Sequence, residues 1–128
     1  MSMKSIVTKQ APEAIGPYSQ GVDLGDLVLT SGQIPLNPMT GEIPEGIQAQ
    51  AKQSLENVKG VIEASGLKME NVVKMTVFLK DMETFAKMNE VYKTFFEEPY
   101  PARSAVEVAR LPKDVLIEIE AIASRPNT

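Results

Sequence analysis

The chain has 128 residues, 43% of them hydrophobic, which suits one domain with a real core. Thirteen basic residues against seventeen acidic ones leave a net charge of −4, which argues against a broad nucleic-acid footprint. Cys and His are both absent, so disulfides, thiolate nucleophiles, Ser–His or Cys–His pairs and Cys/His zinc sites are excluded.

In chain order, the stretch up to Pro17 has no apolar core of a signal peptide, and no later run approaches membrane-spanning length. The expected compartment is therefore the cytoplasm, with no membrane partner. Gln20 to Leu24 and Leu27 to Ser31 flank Gly25-Asp26, a two-residue hairpin signal. A turn-rich segment with Pro35, Asn37, Pro38, Gly41 and Pro44 follows. Ile47, Ala51, Leu55, Val58 and Ile62 then recur at steps of four, four, three and four, a helix that Gly66 closes. Gly60 inside it points to a close helix–sheet contact. Asn71 to Leu79 reads as a strand, and Asp81 as the N-cap of a second helix with Phe85, Met88, Tyr92 and Phe95 on its buried stripe. Arg103 to Ala109 and Val115 to Ala123 read as the last two strands.

The order β, β, α, β, α, β, β predicts an α+β fold, a mixed sheet with both helices on one face, as a single domain spanning 1–128. The last strand says what happens on the other face. Ile117, Ile119, Ala121 and Ala123 point one way, towards the helices. Leu116, Glu118, Glu120 and Ile122 point the other way. Leu and Ile bracketing two carboxylates is a pattern for a face closed by another subunit, so an oligomer is expected.

With His and Cys gone, chemistry falls to carboxylates, Arg, Lys, Tyr, Ser, backbone groups and water, which suits a substrate that is already labile. Arg103 offers a planar fork for a carboxylate or phosphate. The same residue would equally serve as an ion-pair partner of Glu118, Glu120 or a neighbouring subunit. Glu118 and Glu120 share a face, and one of them could act as general base on water with its pKa raised by burial or by the other. Alternatively, one pairs with Arg103 or Arg110. Tyr18, where a turn meets a strand, and Ser31, before Gly32, are weaker candidates for lining a site. The glycines form neither a dinucleotide-binding nor a P-loop pattern.

Four strings carry a resemblance: Ala14-Ile-Gly-Pro-Tyr-Ser-Gln-Gly21, Thr30-Ser-Gly-Gln-Ile-Pro35, Gln53-Ser-Leu-Glu-Asn-Val58 and Pro101-Ala-Arg-Ser-Ala-Val-Glu-Val-Ala-Arg-Leu-Pro-Lys-Asp114. With Ile117-Glu-Ile-Glu-Ala-Ile-Ala123 they resemble the RidA (YjgF) family of enamine/imine deaminases, in order and over nearly the whole chain. The resemblance implies a chorismate-mutase-like fold assembling as a homotrimer around a barrel-like centre, with clefts between subunits. It implies hydrolysis of 2-imino or enamine acids, such as 2-iminobutanoate and 2-iminopropanoate, to 2-keto acids and ammonia, without cofactor or metal. Position by position, it implies that Arg103 binds the carboxylate and that Glu118 positions or activates water. Tyr18, Ser31, Gly32 and Asn89 would line or support the cleft, with Tyr18 arriving from a neighbouring subunit. Ala105 stands where many members carry Cys, which leaves only its backbone N–H to point at the reacting end of the substrate. The segment Glu97-Glu-Pro-Tyr100 is shorter than in several relatives. Two other readings stay open: a non-enzymatic regulator that binds keto acids in the same cleft, and an RNA-directed translation inhibitor, against which the acidic balance argues.

Overall fold

The computed structural model describes residues 2–126, so residue 1 and residues 127–128 of the expected 1–128 domain lie outside the described residues. Its strands are β1 (Lys4–Ile6), β2 (Gly21–Asp23), β3 (Leu27–Thr30), β4 (Val72–Leu79), β5 (Ala102–Glu107) and β6 (Ile117–Ser124); its helices are α1 (Ile47–Ala64) and α2 (Phe85–Tyr92). The strands form one sheet in the order β1-β2-β3-β6-β4-β5. Only β4 and β5 are parallel, and the other neighbours run antiparallel. The mixed sheet with two helices is as expected. The short strand β1 has no counterpart in the sequence reading, because three residues with one buried side chain, Ile6, carry no period.

Gly25-Asp26 makes the β2–β3 turn, with Leu24 N–H donating to Leu27 O at 2.8 Å and Gly25 at φ 100°. Helix α1 buries Ala51, Leu55, Val58, Val61 and Ile62 completely, or nearly so, against the sheet and α2. It ends where Gly66 takes φ 89° just past the Ser65 cap. Gly60 is explained differently from the expectation. A Cβ there would lie 2.5 Å from the backbone oxygen of Gln10, so the glycine admits the N-terminal arm and not the sheet. Asp81 also differs in detail: its side chain accepts from Glu83 N–H and caps a 3₁₀ turn, Met82–Thr84, that leads into α2.

Buried polar side chains hold the loops in place. Asn57, fully buried, donates to the carbonyls of Ile34 and Leu36 at 3.0 and 2.9 Å. Gln50 donates to Pro44 O and accepts from Leu116 N–H. Gln20 ties down the arm through the carbonyls of Thr8, Ala11 and Pro12. These are the satisfied buried amides that a packed interior requires. They fix the segments that flank the site.

Strand β6 separates the two sides of the sheet as expected. Ile117, Ile119, Ala121 and Ala123 are buried under the helices, while Leu116, Glu118, Glu120 and Ile122 are half-buried on the other side. That second face also carries Leu29, Thr76, Phe78 and the exposed Leu27 and Val106, in register with β6 or across β4. No helix of the described residues is long and apolar enough to cross a membrane.

Candidate active site

Arg103 lies on β5, an edge strand, in register with the buried Met75, so its side chain rises on the helical side of the sheet. There its guanidinium donates to Asn89 Oδ1 at 2.7 Å. Its Cζ lies 4.6 Å from the centre of the Tyr92 ring and 5.2 Å from that of Phe85, both on α2. Among the described residues no carboxylate lies within ion-pair distance of it: the ion pairs there are Arg110–Asp114 and Arg125–Asp23. The internal ion pairs considered for Arg103 or Arg110 with Glu118 or Glu120 are therefore not formed among the described residues. Arg110 is instead engaged by Asp114 at 2.8 Å on the surface. Arg103 is a fixed cation whose neighbours are a neutral amide and two aromatic faces.

Ala105 follows two residues along the same edge. Val108 N–H donates inward to Leu79 O, so by the alternation of a parallel ladder the N–H groups of Arg103 and Ala105 face the open edge. Asn89, Arg103 and Ala105 thus form one group.

Glu118 belongs to a second group. It lies on the face opposite Arg103, across two strands and three residues along, which puts their Cα atoms on the order of 14 Å apart. Its carboxylate lies against Gly32, where a Cβ would overlap it. Burial raises the Glu118 pKa above the ordinary glutamate value, and the neighbouring charge of Glu120 raises it further. The approach of Gly32 is enforced by its neighbour Gln33, whose backbone exchanges two hydrogen bonds with Ile119 at 2.7 and 3.2 Å. Ser31 donates its hydroxyl to Ser19 O at 2.5 Å, tying the strand end to the turn that carries Tyr18. Tyr18 is 54% exposed and lines a cleft of about 300 Å³ with Gly32, Gln33 and Lys113. A larger depression of about 770 Å³ along β1 and the arm also includes Tyr18, and neither cavity is lined by Arg103 or Glu118.

The structure therefore gathers Tyr18, Ser31, Gly32 and Glu118 at one place and Asn89, Arg103 and Ala105 at another. One chain does not bring Arg103 and Glu118 onto the same small molecule. The sequence reading placed Tyr92 in the core stripe and missed its position beneath Arg103. The available signal was a tyrosine three residues after Asn89 in a stripe otherwise made of Phe and Met.

A model of the family described as Endoribonuclease L-PSP matches residues 8–125. The 2-iminobutanoate/2-iminopropanoate deaminase of Escherichia coli strain K12 is 62% identical over 125 residues, covering 95% of this chain and 98% of the relative. Among solved structures, E. coli TdcF with bound serine is 61% identical with a TM-score of 0.93, covering 96% of this chain and 99% of that one. RidA from an Antarctic Psychrobacter is 48% identical with a TM-score of 0.92, covering 95% and 99%. By this match and these near-full-length likenesses, the chain belongs to the RidA (YjgF) proteins of the Endoribonuclease L-PSP family.

Proposed function

We propose that this chain is a cofactor-free deaminase that hydrolyses 2-imino and enamine acids, such as 2-iminobutanoate and 2-iminopropanoate, to 2-keto acids and ammonia. It works in the cytoplasm as one domain per subunit, in a homotrimer around a barrel-like centre. The observation that carries this reading is the state of Arg103: a guanidinium held by Asn89 and two rings, with no carboxylate among the described residues to neutralise it. Such a charge suits an incoming carboxylate held bidentately, an interaction of roughly 1.5–3 kcal/mol. The deaminase activity of the E. coli relative and the serine bound by TdcF, which carries a carboxylate beside a nitrogen, support the same class of ligand.

The second group supplies the water chemistry. In the proposed step Glu118, its pKa raised, accepts a proton as water oxygen attacks the C=N carbon. The carbinolamine then collapses, breaking the C–N bond, and nitrogen leaves as ammonia with the protons returned to it. A general base adds about 10²–10⁴-fold, enough for an imine that already hydrolyses in water. The half-exposed apolar residues around Glu118 and Glu120 support closure of that face by a second copy of the chain. A second subunit is also what the opposed positions of Arg103 and Glu118 require.

The test generates 2-iminobutanoate with an amino-acid dehydratase and follows release of the keto acid. Wild type should accelerate release, and Arg103→Ala should lose about 10- to 100-fold in kcat/KM. Arg103→Lys should be similarly impaired, because a point charge lacks the fork. Equal rates for wild type and Arg103→Ala would overturn the reading. Keto-acid binding by calorimetry with no turnover would leave the regulator reading in its place.

A further inference from the structure

Tyr92 presents an anomaly at the carboxylate site. It is 6% exposed, and its hydroxyl is buried with no hydrogen-bond partner among the described residues. An orphaned buried hydroxyl destabilises the fold, and phenylalanine would fill the same space without that cost. The stripe around it is otherwise Phe85, Met88 and Phe95, and its ring packs on Phe96 at 4.9 Å, so the core alone has no use for the oxygen. The residue nearest in chemistry is Arg103, whose guanidinium lies 4.6 Å from the ring centre and hydrogen-bonds only Asn89 among the described residues. Burial raises the phenol's pKa, while the Arg103 charge and the approach of its guanidinium to the hydroxyl both lower it, so the oxygen already faces the guanidinium although the contact falls short of hydrogen-bond geometry.

We propose that Tyr92 is a positioning residue for Arg103: its ring fixes the plane of the guanidinium, and its hydroxyl oxygen steadies the free N–H groups when a carboxylate engages them. This deepens the proposed function and rests on Arg103 being the carboxylate clamp. The oxygen is thus kept for the ligand-bound site, at the expense of the stability of the empty one. Asn89 accepts one guanidinium N–H, the Tyr92 and Phe85 rings lie 4.6 and 5.2 Å from Cζ, and the remaining donors are left for the substrate.

The experiment compares wild type, Tyr92→Phe, Tyr92→Leu and Arg103→Ala by imine turnover, by calorimetric binding of 2-oxobutanoate and by thermal melting. Tyr92→Phe should melt at or above the wild-type temperature, yet raise KM and the 2-oxobutanoate Kd about three- to tenfold with kcat within about twofold. Tyr92→Leu should weaken binding further, by about tenfold or more. Wild-type KM and Kd in Tyr92→Phe, with Arg103→Ala impaired, would overturn this inference alone. A lower melting temperature with unchanged KM and Kd would make Tyr92 an ordinary core residue and overturn it too. An unimpaired Arg103→Ala would instead remove the reading beneath it. If Tyr92→Leu does not fold, Tyr92→Phe still decides.

Discussion

The Glu118 carboxylate occupies the space that a side chain on Gly32 would need. The glycine is not at a positive φ, so its value lies in this close approach and not in backbone freedom. Gln33, clamped to Ile119 on both backbone groups, keeps Gly32 there.

It follows that Gly32→Ala should displace Glu118 while leaving the fold intact. The obstructing atoms are the far end of a flexible side chain, which can swing towards solvent. The melting temperature should stay within about 3 °C of wild type, while kcat falls about tenfold or more. Circular dichroism melts and the imine assay on the same preparation check both halves.

Glu118 also sets the acid limb of the pH profile. Its active form as a base is ionised, so kcat should rise as pH climbs through its raised pKa. Glu120→Gln removes the neighbouring negative charge but not the burial. The limb should then move to lower pH, yet remain above the ordinary glutamate value. For stability the sign is opposite to that of a salt-bridged acid. The folded chain holds this proton more tightly than the unfolded one, so the contribution is present below the ordinary glutamate pKa and lost as pH rises through the raised value. Glu118→Gln should therefore melt higher than wild type at pH 7, with the difference vanishing in acid, while kcat drops about 10²-fold. Melting curves at several pH values measure it.

Asn89 can be used to switch off the clamp without touching Arg103. Asn89→Asp places a carboxylate where the amide oxygen now accepts at 2.7 Å, giving the guanidinium a resident counter-ion. The expected result is equal or higher thermal stability with about tenfold or greater loss of 2-oxobutanoate affinity. Calorimetry of the variant against wild type reads this directly.

Much of this was legible in the residues, for identifiable reasons. The alternation of Ile117 to Ala123 revealed both the helix-covered face and the half-buried carboxylate face, because a period of two leaves no freedom over which residues share a side. Helix α1 was legible from its steps of three and four. Strand β1 was not, being too short for a period and defined by pairing with β2. Gly60 was misread because the residue it admits, Gln10, is fifty positions away and follows no local pattern. The site was half-legible in the same way. Individual residues could be placed through their strings, but register alone shows that Arg103 and Glu118 face opposite sides of one sheet. Tyr92 reads as core because a buried ring looks the same in sequence whether it packs on Phe96 or carries a guanidinium.

That opposition makes complementation between subunits the most direct test of the central claim, that Arg103 and Glu118 serve one cleft from different copies of the chain. Arg103→Ala and Glu118→Gln, each nearly inactive alone, are co-expressed in equal amounts and purified as mixed oligomers. A cleft needs an intact Arg103 from one subunit and an intact Glu118 from its neighbour. Random mixing therefore restores about one quarter of wild-type imine turnover. Activity no greater than the average of the two parent variants, in oligomers shown by mass spectrometry to be mixed, would contradict the account.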